Sequence, residues 1–246
     1  VVVALLRAHA DRVSDEALAE IIRWRRLRVT KVLAENRLLT DWQISVMGVD
    51  LMRDPEDYEL MRPWERESAR PFEKGDALVV RALQARLGAG DPVSAGTLEE
   101  LVARHGGRVA MWCVKHAGDY ALSDVVLAAV RVSEDAALAA VAREDTMPDR
   151  VLLAAMDTWE NVAVKIARDS AGLRPSVRNR LMNDDRGQVL SAFASRADVS
   201  DSELTLLVSR SQSVARSVAL REAPISESAL LAVVNALDDV SPVLSR

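Results

Sequence analysis

The side chains best suited to chemistry in this chain are its single cysteine and its three histidines. Cys113 and His116 stand three apart, so a helix would set them on one face, as a thiolate–imidazole pair requires. Such a nucleophile also needs an orienting group and donors for an oxyanion, and the residues around the pair offer neither. A metal would need two further ligands, and His9 and His105 have no ligand-like spacing to the pair. No glycine-rich phosphate loop stands out either, since Gly106-Gly107 reads as a helix terminator and Gly88-Ala89-Gly90 as a turn. The expectation is therefore a non-enzymatic chain with no catalytic residue, no metal ligand and no cofactor, in which Cys113 is a small core residue.

Charged and aromatic groups show more organisation. The densest basic cluster runs from Arg23 through Arg25, Arg26 and Arg28 to Lys31. It reads first as a solvated helix end and second as an anion or nucleic-acid contact. Between residues 50 and 76, Arg62-Pro63-Trp64-Glu65-Arg66 is echoed eight residues later by Arg70-Pro71-Phe72-Glu73-Lys74. Tyr58, Arg62, Trp64, Arg66, Arg70 and Phe72 are candidate partner-binding residues, because aromatics and arginine are the types enriched at interface anchors. The competing expectation is that these aromatics fold back to seal an irregular part of the core. Asp54-Pro55-Glu56-Asp57 supplies a cap, a first-turn proline and acidic residues, which predicts a short helix through Leu60 and Met61.

The elements that carry these groups recur. From Val214 to Asp239 the chain reads as two short amphipathic helices: Val214, Val218 and Ala219 form one stripe, Pro224 breaks it, and Ser226 caps a second helix bearing Leu230, Val233 and Val234. The same frame, an aliphatic residue followed by a helix start, recurs at Val13-Ser14, Leu39-Thr40, Val93-Ser94, Leu122-Ser123, Met147-Pro148, Leu173-Arg174 and Val199-Ser200. Successive starts lie 25 to 29 residues apart, except for one interval of 54 between Thr40 and Ser94. That interval is about two periods, so one repeat is expected to be replaced or distorted in residues 50–76. Apolar echoes travel with the frame, among them Leu18 and Ile21, Leu127 and Val130, and Leu204 and Leu207, and predict one continuous core. Thr40 with Gln43 and Ser200 with Glu203 fit reciprocal capping boxes, whereas Arg174 is not a capping type and predicts a weaker helix start.

Helices this short are marginal alone, so each pair must bury its stripe against neighbouring pairs. The predicted class is all-α, a single α-solenoid domain over 1–246 built from two-helix repeats of about 26 residues, with 50–76 an irregular insert or degenerate repeat. Composition agrees: 49% of residues are hydrophobic, 28% are charged and mean hydropathy is +0.01. Almost no strand is expected. One cysteine excludes an internal disulfide framework, and no apolar run reaches membrane-spanning length, so a cytoplasmic location without membrane contact is expected. A net charge of −5 disfavours a general nucleic-acid binder. Aspartates one residue beyond the frame, such as Asp15, Asp41, Asp149 and Asp201, complement the helix dipoles and form a carboxylate ladder open to a basic partner. Arg143, Arg168, Arg196 and Arg221 stand near the ends of the first helices. Val240 begins where another first helix would start, so the natural protein is expected to extend further.

The stretches Val162-Ala163-Val164-Lys165-Ile166-Ala167 and Val214-Ala215-Arg216-Ser217-Val218-Ala219, each followed by a second helix, resemble the leucine-rich repeat variant family of bacterial α-solenoids and are similar to short HEAT-like repeats. The resemblance covers most of the chain outside 50–76. It implies a right-handed superhelix and a binding role. Some members carry a cysteine-bound iron–sulfur cluster, which Cys113 alone cannot build. The function expected is a protein-interaction scaffold with a protein or peptide partner; a nucleic-acid-binding or DNA-repair HEAT-like protein is the alternative.

Overall fold

The computed structural model describes residues 2–9, 12–36, 38–48, 50–52, 72–116, 123–221 and 224–238. Among them lie sixteen helices and two three-residue strands. The N-terminal part contains α1 (Val2–His9), α2 (Asp15–Arg23), α3 (Leu27–Asn36), α4 (Asp41–Ser45), β1 (Asp50–Met52), β2 (Phe72–Lys74), α5 (Asp76–Gly88), α6 (Ala95–His105), α7 (Gly107–Lys115) and α8 (Ser123–Val132). After α9 (Glu134–Val141) come α10 (Asp149–Thr158), α11 (Glu160–Asp169), α12 (Pro175–Met182), α13 (Gly187–Ala194), α14 (Asp201–Val208), α15 (Gln212–Ala219) and α16 (Glu227–Asp238). The chain forms two compact units, Val1–Ala139 and Ala140–Arg246, and the division falls within α9.

Each unit is built by the same rule: a helix packs on its successor and on the helix after that. In the first unit α1 packs on α3, α3 on α5 and α5 on α7, while α2 packs on α4, α4 on α6 and α6 on α8. In the second, α11 packs on α13 and α13 on α15, while α10 packs on α12 and α14 on α16. Odd-numbered and even-numbered helices thus form separate layers, joined by pairs such as α10–α11, α12–α13 and α14–α15. The apolar spacing explains the layering. On even helices the buried residues are Leu18 and Ile22, Leu98, Leu101 and Val102, Leu152 and Met156, and Leu204, Leu207 and Val208. On odd helices the buried set is Val162, Ala163, Ile166 and Ala167, repeated as Val189, Leu190, Phe193 and Ala194.

Even helices start where their caps dictate. Thr40 and Ser200 each accept a backbone N–H from the residue three further on, and Gln43 and Glu203 complete both capping boxes. Ser14, Ser94 and Ser226 accept in the same way. Helix α8 begins at Ser123 itself, one residue before the frame placed it. Val130 is buried as the frame requires, together with Val125, Val126 and Ala129, whereas Leu127 is only half-buried.

One further expectation needs correction. Leu230 and Val234 are 50% and 43% exposed, whereas their counterparts one period earlier, Leu204 and Val208, are buried beneath α16. No described element covers the equivalent side of α16. Across the long interval between Thr40 and Ser94, α3 packs directly on α5 and α4 on α6. Strands β1 and β2 pair antiparallel, with Asp50 opposite Lys74 and Met52 opposite Phe72, and so bring the two ends of the intervening segment together. Gly75 makes this closure sterically feasible, since a Cβ there would collide with the Gly48 carbonyl oxygen.

Candidate binding groove

The residues singled out from sequence do not converge on a reactive site. Cys113 is buried, and desolvation pushes its thiol up to about 12, so it carries no thiolate at neutral pH. The His116 ring lies 4.8 Å from that of Trp112 in a tilted contact. His105 is half-buried, and burial lowers its pKa. Among the described residues no three His, Cys, Asp or Glu side chains gather as metal ligands, and no helix is long and apolar enough to cross a membrane.

The basic cluster is divided by a turn. Arg23 ends α2, pairs with Glu20 at 3.1 Å and lies 5.4 Å from the centre of the Trp42 ring. Arg25 adopts a left-handed backbone, φ 54°, which turns the chain into α3, and its side-chain stem runs over Gly48. Arg26 and Arg28 are half-buried and already have interaction partners, which leaves Lys31 exposed one helical turn beyond Arg28. Of the other candidate set, Tyr58, Arg62, Trp64, Arg66 and Arg70 lie outside the described residues, and Phe72 is placed only as the first residue of β2.

The carboxylate ladder is largely occupied from within. Asp41 accepts the Ser94 backbone N–H at 2.8 Å and pairs with the buried Arg86 at 3.2 Å. Asp15 accepts from Gln43 Nε2 at 3.0 Å. Asp149 accepts from Arg174 Nη1 at 2.6 Å and from the Ser176 hydroxyl. Each donor belongs to the next helix pair, so the aspartates tie neighbours together rather than wait for a basic partner. Arginines do the same from the other side. Arg196 Nη1 donates to the Ser170 carbonyl at 2.8 Å, and Arg174 Nη1 donates to that of Met147 at 2.7 Å. This explains why Arg174 stands at a cap position without capping: its side chain reaches back one repeat, and α12 still begins at Pro175.

One region of the second unit is not filled in this way. The outward face of α11, α13 and α15 forms a groove of about 1290 Å³. It is built from three rows, in which positions four apart on each helix lie level with positions 26 or 27 residues along the chain. Glu160, Gly187 and Ser213 make the first row, Val164, Ser191 and Ser217 the second, and Arg168, Ser195 and Arg221 the third. Small side chains in the first two rows keep the floor low. The third row places two guanidiniums at one margin, both near the C-terminal ends of their helices. Arg221 Nη2 donates to the Ala197 carbonyl at 3.1 Å, while its Nε and Nη1 are shielded and have no partner among the described residues. Arg168 is exposed and forms no ion pair among the described residues; the neighbouring Asp169 is held by Lys165 at 2.8 Å.

From sequence, Arg168 and Arg221 were legible only as complements to helix dipoles, and the serine rows look like ordinary polar surface. The usable signal was the small residues recurring four apart on successive odd helices. The groove is larger than a typical small-molecule pocket, and its titratable lining groups, Glu160, Arg168 and Arg221, stand at its margins. Compared with models of protein families, with curated proteins and with solved structures, the chain matches none of them.

Proposed function

We propose that this chain is a non-enzymatic protein-interaction scaffold, an α-solenoid of two-helix repeats of about 26 residues in the manner of leucine-rich repeat variant and HEAT-like proteins. Three features support the architecture: alternating helix layers in each unit, helix starts that recur every 25 to 29 residues outside the one long interval, and side-chain bonds between positions one repeat apart. The groove over α11, α13 and α15 is the observation that carries the function. Its floor is made of small side chains on rigid helices, so it admits a chain segment without rearrangement, and its polar groups are spaced by the repeat rather than gathered at a point.

The test is affinity capture from the host with the intact chain, comparing wild type with a Ser191→Trp/Ser217→Trp variant that fills the second row. Both serines are half-buried at the groove surface, so thermal stability should be unchanged and captured partners should disappear. Partners retained in full by the filled variant would rule the groove out as the binding surface.

A further inference from the structure

We infer that the groove over α11, α13 and α15 takes an extended acidic peptide segment, two of whose carboxylates pair with Arg168 and Arg221. This deepens the scaffold reading and rests on it. The two arginines of the third row form no ion pair among the described residues, and Arg221 is held in place by its bond to the Ala197 carbonyl. A carboxylate arriving at this margin gains a charge-assisted interaction with the Arg221 guanidinium, which forms no ion pair among the described residues. Arg168 is exposed and acts on Asp169 only through its charge, the direct pair of Asp169 being with Lys165.

Geometry sets the spacing. Neighbouring helices of one layer pack roughly 8 to 10 Å apart, so α11 and α15, two steps apart, are separated by roughly 16 to 20 Å. An extended chain advances about 3.3 Å per residue, which puts the two acidic side chains about five or six residues apart. The middle of the segment crosses α13 at Ser195, whose hydroxyl donates to the Ala192 carbonyl and can still accept a peptide N–H, with Ser191 one turn away. Glu160, on the opposite margin, repels acidic groups and fixes which edge of the groove they occupy. Leu220, 84% exposed beside Arg221, offers an apolar contact next to one carboxylate. A nucleic acid fits less well: the lining contains no aromatic ring for base stacking, and two cations opposite one carboxylate make a poor track for a regular phosphate chain.

The experiment is selection of displayed random peptides of about ten residues on the full chain at low salt, followed by fluorescence anisotropy with a labelled selected sequence. Enriched sequences should carry Asp or Glu pairs about five or six apart, and Arg168→Ala should weaken binding about tenfold with no change in melting temperature. Raising salt should weaken wild type more than the variant. Enriched peptides that lack the acidic pair but are blocked by Ser191→Trp would overturn this inference and leave the scaffold reading standing. Peptides indifferent to both Arg168→Ala and Ser191→Trp, or no enrichment at all, would overturn both. An oligothymidylate probe that binds as tightly as the selected peptide, and loses affinity equally in Arg168→Ala, would assign the groove to nucleic acid instead.

Discussion

At the scale of single residues, the second unit is tied together by carboxylates whose protonation the fold opposes. Arg178 grips both oxygens of Glu203 at 2.8 and 2.7 Å and, with the Ser200 cap, holds the Glu203 carboxyl down to about 2. Burial alone would raise the pKa of Asp184, whose side chain has no exposure, but hydrogen bonds from Arg186 and the charge of Arg180 leave it lowered. In both cases the unfolded chain binds the proton more readily than the folded one. Their stabilisation is therefore fully present above the ordinary carboxylate range; that of Glu203 is lost as pH falls from about 4.5 toward about 2, and that of Asp184 as pH falls below its ordinary value of 3.8. Urea denaturation at a series of pH values should show stability dropping through that window. Glu203→Gln, which can still complete the capping box, should flatten part of the drop; an unchanged pH profile would mean that the Arg178–Glu203 pair contributes nothing to stability. Asp184→Asn should cost about 3 kcal/mol at neutral pH, the low end for breaking a buried ion pair, because both guanidiniums keep some contact with water. A loss under about 0.5 kcal/mol would show that solvent compensates for the pair.

At the scale of elements, helix starts and apolar stripes were legible because both are local. A serine or threonine three residues ahead of Gln43 or Glu203 specifies a cap whatever lies elsewhere, and it did so at Thr40 and Ser200. What was not legible depends on residues about one period away. Asp41 and Asp149 looked like dipole complements, and only packing reveals that Ser94, Arg86 and Arg174 claim them. Exposure at α16 is another case, since Leu230 and Leu204 occupy the same frame position and differ only in what lies over them. Leu204→Ala should therefore cost about 2 to 5 kcal/mol, and Leu230→Ala below about 1 kcal/mol. Paired denaturation curves decide this: equal losses at the two sites would mean that Leu230 is covered in solution.

At the scale of the whole molecule, packing of each helix on its next and next-but-one neighbours makes coupling within a unit nearly linear. A perturbation then fades with the number of helices crossed, unlike in a single shared core where it is felt throughout. Within the second unit, α14 packs directly on α15 and α16, whereas α10 and α11 are buried mainly against each other, α12 and α13. Leu204→Ala should accordingly lower native-state hydrogen-exchange protection most in α14, α15 and α16 and least in α10 and α11. The groove spans this gradient, because Arg168 stands on α11 while Arg221 follows α15. A bound peptide that pairs with both would stiffen the weaker end, so adding it should restore protection in α15 and reduce the difference between the two ends. Uniform loss of protection across α10 to α16 in Leu204→Ala would instead mean that the second unit unfolds as one cooperative body. In that case the linear coupling inferred from the packing pattern would be wrong for this chain.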